Sequence, residues 1–139
     1  MSIITLTTDF GTKDHFVAKI KAAIISDSPE TNIVDISHKI SPFNIMEAAY
    51  VIENSYKHFP EKTIHIIGVD SEKNPENKHL VVKLNQQYFI CADNGIMSIV
   101  CNKLNPDGIY EINIHDKIES NNSALKTFTQ VACHLAKGG

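Results

Sequence analysis

The first pattern along the chain is a run of apolar and β-branched residues, Ile3-Ile4-Thr5-Leu6-Thr7-Thr8. Such a run predicts a strand, and this one ends on a carboxylate, Asp9, followed by Phe10 and Gly11. The period then changes. Phe16, Val17, Ile20, Ala23 and Ile24 recur at three- and four-residue spacing, which predicts a helix from Thr12 to about Ser26. Thr12 is the expected N-cap, and Asp14 suits the positive end of the helix. A second strand is expected over Thr31–Ser37, leading to His38, and a second helix over Ile45–Tyr56. Asn44 and Glu47 form a capping-box pattern there, and Ile45, Ala49, Ile52 and Tyr56 give the apolar face. Thr63–Val69 is apolar almost throughout, as a central parallel strand should be, and Asp70 follows it.

The second half reads differently. His79–Leu84 and Tyr88–Ala92 flank Asn85-Gln86-Gln87 and predict a hairpin that ends on Asp93-Asn94-Gly95. A short helix over Ile96–Asn102, a strand over Gly108–Ile114 and a last amphipathic helix over Thr127–Lys137 follow, closed by Gly138-Gly139. Strands alternating with helices predict an α/β domain built on a β-α-β-α-β unit.

Composition narrows the class. A chain of 139 residues with 42% hydrophobic and 21% charged residues suits one domain with its own core. The net charge is -3 and no basic run occurs, so nucleic acid is not the expected partner. No apolar run is long enough to span a bilayer. The amino terminus enters a strand without a basic leader, so the expected location is the cytoplasm. Cys91, Cys101 and Cys133 are odd in number and lack CxxC spacing, and they read as buried thiols rather than disulfides or zinc ligands.

Candidate chemistry lies at the strand ends. Four predicted strands end on or near an acid: Asp9, Asp35, Asp70 and Asp93. Adjacent in one sheet, these would share the edge where open α/β sheets bind ligands. The plainer alternative is four unrelated turn or cap residues. An acidic rim favours a cation, a metal ion, or hydroxyls that donate to carboxylates. One aspartate can take both hydroxyls of a ribose. A metal would use Asp9, Asp35, His38 and Asp70, but no spacing here is diagnostic of one. His65 within a strand and His134 within a helix read as structural. The chain has no GxGxxG, Walker A, GxSxG or HExxH motif, which removes the usual support for dinucleotide, P-loop and serine-hydrolase readings.

Several segments together carry a resemblance. Thr7-Thr8-Asp9-Phe10-Gly11 with Asp14 and Val17, Ile33-Val34-Asp35-Ile36-Ser37-His38, Ile40-Ser41-Pro42-Phe43-Asn44, and Glu47-Ala48-Ala49 resemble the S-adenosylmethionine hydroxide adenosyltransferase family, relatives of the fluorinase and chlorinase. Ile66-Ile67-Gly68-Val69-Asp70, Asp93-Asn94-Gly95-Ile96 and the helix with Phe128 and Val131–Ala136 continue it in register. The resemblance implies a Rossmann-like, three-layer α/β N-terminal domain over residues 1–139, with a mostly parallel central sheet and helices on both faces. It implies S-adenosylmethionine as substrate, with methionine displaced at C5′ of the ribose, by water in hydrolase members. No separate cofactor is implied. Asp9 would bind the ribose diol, Phe43 would wall the pocket, and Phe10, Asp14 and Asn94 would lie near the substrate.

Two features depart from the family pattern. Hydrolases orient water with an aspartate, an arginine and a histidine. Here the aspartate is Asp70, the arginine position is Asn77 with Lys78 beside it, and the histidine position is Ser123. The expected catalytic set is therefore Asp70, Asn77 and Lys78. The family's β-rich C-terminal domain, which completes the adenine pocket across a trimer, lies beyond this sequence. A homotrimer is the expected state of the full-length protein. A nucleoside-binding protein without catalysis, and a metal-dependent hydrolase using the acidic rim, are the alternatives.

Overall fold

A computed structural model of the chain describes residues 2–11, 13, 15–69, 78–101, 104–112 and 123–138, with backbone alone for 123–125. β1 (Ile3–Thr8) leads to α1 (Phe16–Asp27), then β2 (Asn32–Ser37), α2 (Ile45–Ser55), β3 (Ile64–Gly68) and the hairpin of β4 (His79–Leu84) and β5 (Gln87–Ala92). α3 (Ile96–Cys101), β6 (Gly108–Glu111) and α4 (Ser123–Ala136) complete the order. The described strands form one six-stranded sheet in the order β2-β1-β3-β5-β4-β6. β2, β1, β3 and β5 run parallel to one another, and β4 alone runs against its neighbours β5 and β6.

Period-2 alternation assigns the two faces. Ile4 and Leu6 of β1, Ile64 and Ile66 of β3, and Ile90 of β5 pack on one side with Ile20 and Ile24 of α1 and Phe128, Ala132 and Cys133 of α4. Ile67 of β3, Phe89 and Cys91 of β5, and Val82 and Leu84 of β4 face the other side. They pack there on Ala48, Ala49 and Ile52 of α2 and on Ile96 and Val100 of α3. β3 lies between β1 and β5 and is buried along its whole length, as its unbroken apolar run predicts.

The local signals mostly hold. The Asn44 side chain accepts from the Glu47 amide at 3.0 Å. Glu47 returns its carboxylate to the amide of Ser41 at 3.3 Å, because the Asn44 amide already donates to the Ser41 carbonyl. Replacing Asn44 by alanine should cost about 1 kcal/mol, measured by denaturant unfolding. The hairpin turns on Asn85 and Gln86, both with positive φ (52° and 63°), the geometry that matches strand twist in a two-residue turn. Gly138 ends α4 with φ 91°, its amide donating to Leu135. Cys91, Cys101 and Cys133 are free and buried, as expected. Burial pushes the Cys91 thiol up to about 12, helped by Asp93 and Cys101.

Two expectations need correction. α1 begins at Phe16, and its cap position is His15, which makes no side-chain cap bond. The helix thus starts later than the expected Thr12, which lies outside the described residues, and the first turn carries no acid. The residues after Asp9 serve another contact: Gly11, at φ 75°, donates its amide to the His38 carbonyl at 2.7 Å. α4 opens at Ser123, four residues before the expected start at Thr127, so Ser123 is helical rather than in a loop. Asp14, Asp70 and Asn77 lie outside the described residues.

Candidate functional site

The parallel strand order places the ends of β2, β1, β3 and β5 side by side, so the turns that follow them share one edge of the sheet. The turn after β1 is clamped from both neighbours. Asp9 donates its amide to the Gly68 carbonyl at 3.3 Å, and the Thr8 carbonyl accepts from Ile40 at 3.3 Å. A Cβ on Gly68 would lie 3.3 Å from Thr8 Cγ2 and 3.4 Å from Phe10 Cζ, so a glycine there lets the two turns close up. Phe10 turns its ring inward, partly buried on the α1/α4 core and tilted against Phe16 at 5.8 Å.

Asp9 itself is half-buried, and its Oδ2 accepts from the Phe43 amide at 3.4 Å. Phe43 has φ 61° and is 72% exposed. A bulky residue in the left-handed region costs energy and is held there by its surroundings. Here the strained backbone aims an N–H at Asp9 and leaves the aromatic ring in solvent beside it. Met46 and Tyr50, 63% and 69% exposed, continue this apolar stripe along α2.

Asn94 ties the edge together from the far side. Its Nδ2 donates to the Val69 carbonyl at 3.2 Å, and its Oδ1 accepts from the Ile96 amide at 3.1 Å. It thus joins the turn after β5 to the end of β3. Asp93 faces a different hollow of about 310 Å³, whose lining includes Val82, Cys91 and Met97. Two strand spacings, about 10 Å, separate its strand from that of Asp9. Lys78 reaches Glu111 on β6, Nζ to Oε1 3.3 Å, with both side chains about half exposed.

Asp35 is not a free rim acid. It lies inside β2, level with Leu6 of β1. Lys21 Nζ meets its Oδ2 at 2.6 Å and His38 Nε2 meets its Oδ1 at 2.7 Å. Partial burial pushes this carboxyl up, but the hydrogen bonds and charges of Lys21 and His38 outweigh burial and hold it below the usual carboxylate range. The other ring nitrogen of His38, Nδ1, is bonded to Thr8 Oγ1 at 2.7 Å. With both nitrogens engaged, His38 offers no lone pair to a metal. Among the described residues no group of three or more His, Cys, Asp or Glu side chains could hold one. Sequence reasoning missed Thr8 and Lys21. The three-residue spacing of Asp35 and His38 across a strand end was the available signal.

The chain is of the open-sheet α/β class, in which ligands generally bind in the crevice at the carboxyl edge of the strands. The sequence model of the SAM hydroxide adenosyltransferase N-terminal domain matches residues 4–139, and the chain belongs to that family. It is 37% identical over 117 residues to the (R)-S-adenosyl-L-methionine hydrolase of Methanocaldococcus jannaschii, a match covering 81% of this chain and 44% of that protein. A fluorinase from an Actinoplanes species is 37% identical over 62 residues, 45% of this chain and 21% of that one. The crystal structure of an uncharacterized conserved protein from Thermotoga maritima superposes with a TM-score of 0.89 at 32% identity, covering 98% of this chain and 54% of that chain. The chain thus spans about half, or less, of the length of these relatives. Among the described residues no helix is long and apolar enough to cross a membrane.

Proposed function

We propose that the protein, at its natural length, binds S-adenosylmethionine and displaces methionine at C5′ with water, giving adenosine and methionine. The observation that carries this reading is Asp9, held at the end of β1 with its carboxylate oriented by the Phe43 amide and the Phe43 ring exposed beside it. The hydrolase names of the relatives support the substrate. In this reading the sheet is used in the Rossmann-like manner, with the ligand across the carboxyl ends of the strands.

Asp9 accepts from the 2′ and 3′ hydroxyls and fixes the ribose. The sulfonium is positive, so an acidic edge tolerates it. Water attacks C5′ as the C5′–S bond breaks, and the electron pair passes to sulfur, leaving a neutral thioether. The proton lost by water needs an acceptor, and Asp70, next after Val69 in sequence, is the proposed one. Asn77 and Lys78 stand where hydrolases keep their arginine. Apolar walls favour this displacement by excluding bulk water. Asp14, Phe10 and Asn94 are proposed to lie around the substrate. The protein is proposed to act in the cytoplasm as a homotrimer, with neither nucleic acid nor a membrane as partner.

One observation favours a second reading, binding without turnover. Lys78 is paired with Glu111, and the family's arginine and histidine positions carry Asn77 and Ser123. The natural-length protein should be incubated with S-adenosylmethionine, and adenosine and methionine followed by chromatography with and without EDTA. The proposal expects both products in equal amounts, unaffected by EDTA. Binding without products would establish the second reading, and loss of turnover in EDTA would restore a metal.

A further inference from the structure

A hydrogen-bonded chain runs behind the candidate site from α1 to the turn that carries Asp9. Lys21 donates to Asp35, Asp35 meets His38 Nε2 at 2.7 Å, and His38 Nδ1 meets Thr8 Oγ1 at 2.7 Å. Thr8 Oγ1 also accepts from the Phe10 amide at 3.3 Å, on the far side of Asp9. His38 holds the same turn a second time through its carbonyl, which accepts from Gly11 at 2.7 Å. Asp9 is thus bracketed by two residues, Thr8 and Phe10, that are tied to one hydroxyl.

The donors and acceptors close without conflict. The Thr8 hydroxyl has one proton to give, and among the described residues its bonded acceptor is His38 Nδ1. Nε2 then carries the ring proton and donates to Asp35. Lys21 balances the Asp35 charge from α1. Thr8 is fully buried and His38 7% exposed, so these bonds form where an unmade one is costly.

The strand geometry is built for this chain. In a regular strand, residues 35 and 38 would face opposite sides of the sheet. Between the β1 positions Leu6 and Thr7 the β2 partner jumps from Asp35 to Ser37, leaving Ile36 as an extra residue. That irregularity turns His38 to the same face as Asp35 and Thr8. Bulges that re-aim a side chain are frequent beside functional sites.

We propose that His38, oriented by Asp35, is a positioning residue that locks the Thr8–Gly11 turn through the Thr8 hydroxyl and so sets the direction of the Asp9 carboxylate toward the ribose diol. This rests on the reading of Asp9 as the ribose-binding group. His38 touches no substrate; it acts through Thr8. Thr8→Val keeps the shape and removes the hydroxyl, while Thr8→Ser keeps the hydroxyl. Asp35→Asn, half exposed, weakens the far end of the chain without altering the core.

The test is the dissociation constant of adenosine, by titration calorimetry on the natural-length protein, with melting temperatures alongside. Thr8→Val and Asp35→Asn should each bind about tenfold more weakly, about 1.4 kcal/mol. The double variant should lose little more, because the two act through one chain. Thr8→Ser should bind like the parent and melt near it, whereas Thr8→Val, which leaves the buried His38 Nδ1 without its partner, should lose stability as well as affinity. Undiminished binding by Thr8→Val and Asp35→Asn, with binding lost in Asp9→Ala, would overturn the positioning role alone. A Thr8→Ser as weak as Thr8→Val would overturn it too, by making the effect one of packing. Unchanged binding in Asp9→Ala would overturn the reading on which the proposal rests.

Discussion

Asp9→Ala should abolish adenosine and S-adenosylmethionine binding while leaving the fold intact. Hydrogen bonds to a charged group contribute about 1.5–3 kcal/mol each, so losing two ribose hydroxyl contacts should weaken binding by about a hundredfold or more. The fold should tolerate the change because Asp9 is half-buried and the bond its carboxylate accepts from the Phe43 amide is long, at 3.4 Å. Calorimetric titration reads the affinity, and far-ultraviolet circular dichroism with a melting curve reads the fold. Affinity within twofold of the parent would remove Asp9 from the ribose. Asp9→Asn keeps the size and one acceptor oxygen, and should fall between the two.

The second large effect is on stability. His65 of β3 is buried between Thr5 and Gln87, its Nδ1 2.6 Å from Thr5 Oγ1 and its Nε2 2.5 Å from Gln87 Oε1. Gln87 in turn donates to the carbonyls of Tyr56 and Phe59. The imidazole stacks on Phe89 at 4.8 Å and meets Phe59 edge-on at 5.6 Å. Burial lowers its pKa from 6.5 to about 4, against the opposing pull of Gln87. The folded state therefore holds the ring neutral where the unfolded chain protonates it. Its contribution is fully present above pH 6.5 and is lost as pH falls toward about 4. At about 1.4 kcal/mol for each pH unit, the window is worth about 3 kcal/mol. Denaturant unfolding at pH 7, 5.5 and 4.5 should show that decline. His65→Leu should start less stable, because Thr5 and Gln87 lose a buried partner, and should decline less across the window. Equal declines in the two proteins would remove His65 as the source.

The sequence was most informative where one physical signal dominated. Apolar and β-branched runs bounded by turns mark β1, β3 and the β4–β5 hairpin nearly residue by residue. The Asn44–Glu47 pattern placed the start of α2, because a side-chain cap is a local interaction. The start of α1 was misread because the turn before it is shaped by a partner distant in sequence, the His38 carbonyl bonded to Gly11. The rim was partly legible. Its strand order follows the β-α-β-α-β pattern, yet Asp35 could not be separated from Asp9 by sequence. Both follow β-branched residues, and only the β2 irregularity and the approach of Lys21 show that Asp35 is engaged elsewhere. Thr8 was hidden for the same reason. A threonine in a β-branched strand is unremarked until its hydroxyl is seen bonded to a histidine from the neighbouring turn. Phe43 enters only through the resemblance, as an expected wall of the pocket. Its left-handed backbone is a physical signature that no propensity reveals.

The central claim is that the edge of the sheet at Asp9 holds the ribose of an adenosyl group. A crystal structure of the natural-length protein with adenosine tests it most directly. Both ribose hydroxyls are expected on the Asp9 carboxylate, with the Phe43 ring against the ligand and the Asp35–His38–Thr8 chain unbroken behind it. A ribose whose hydroxyls meet other groups, or a nucleoside bound away from the end of β1, would contradict it.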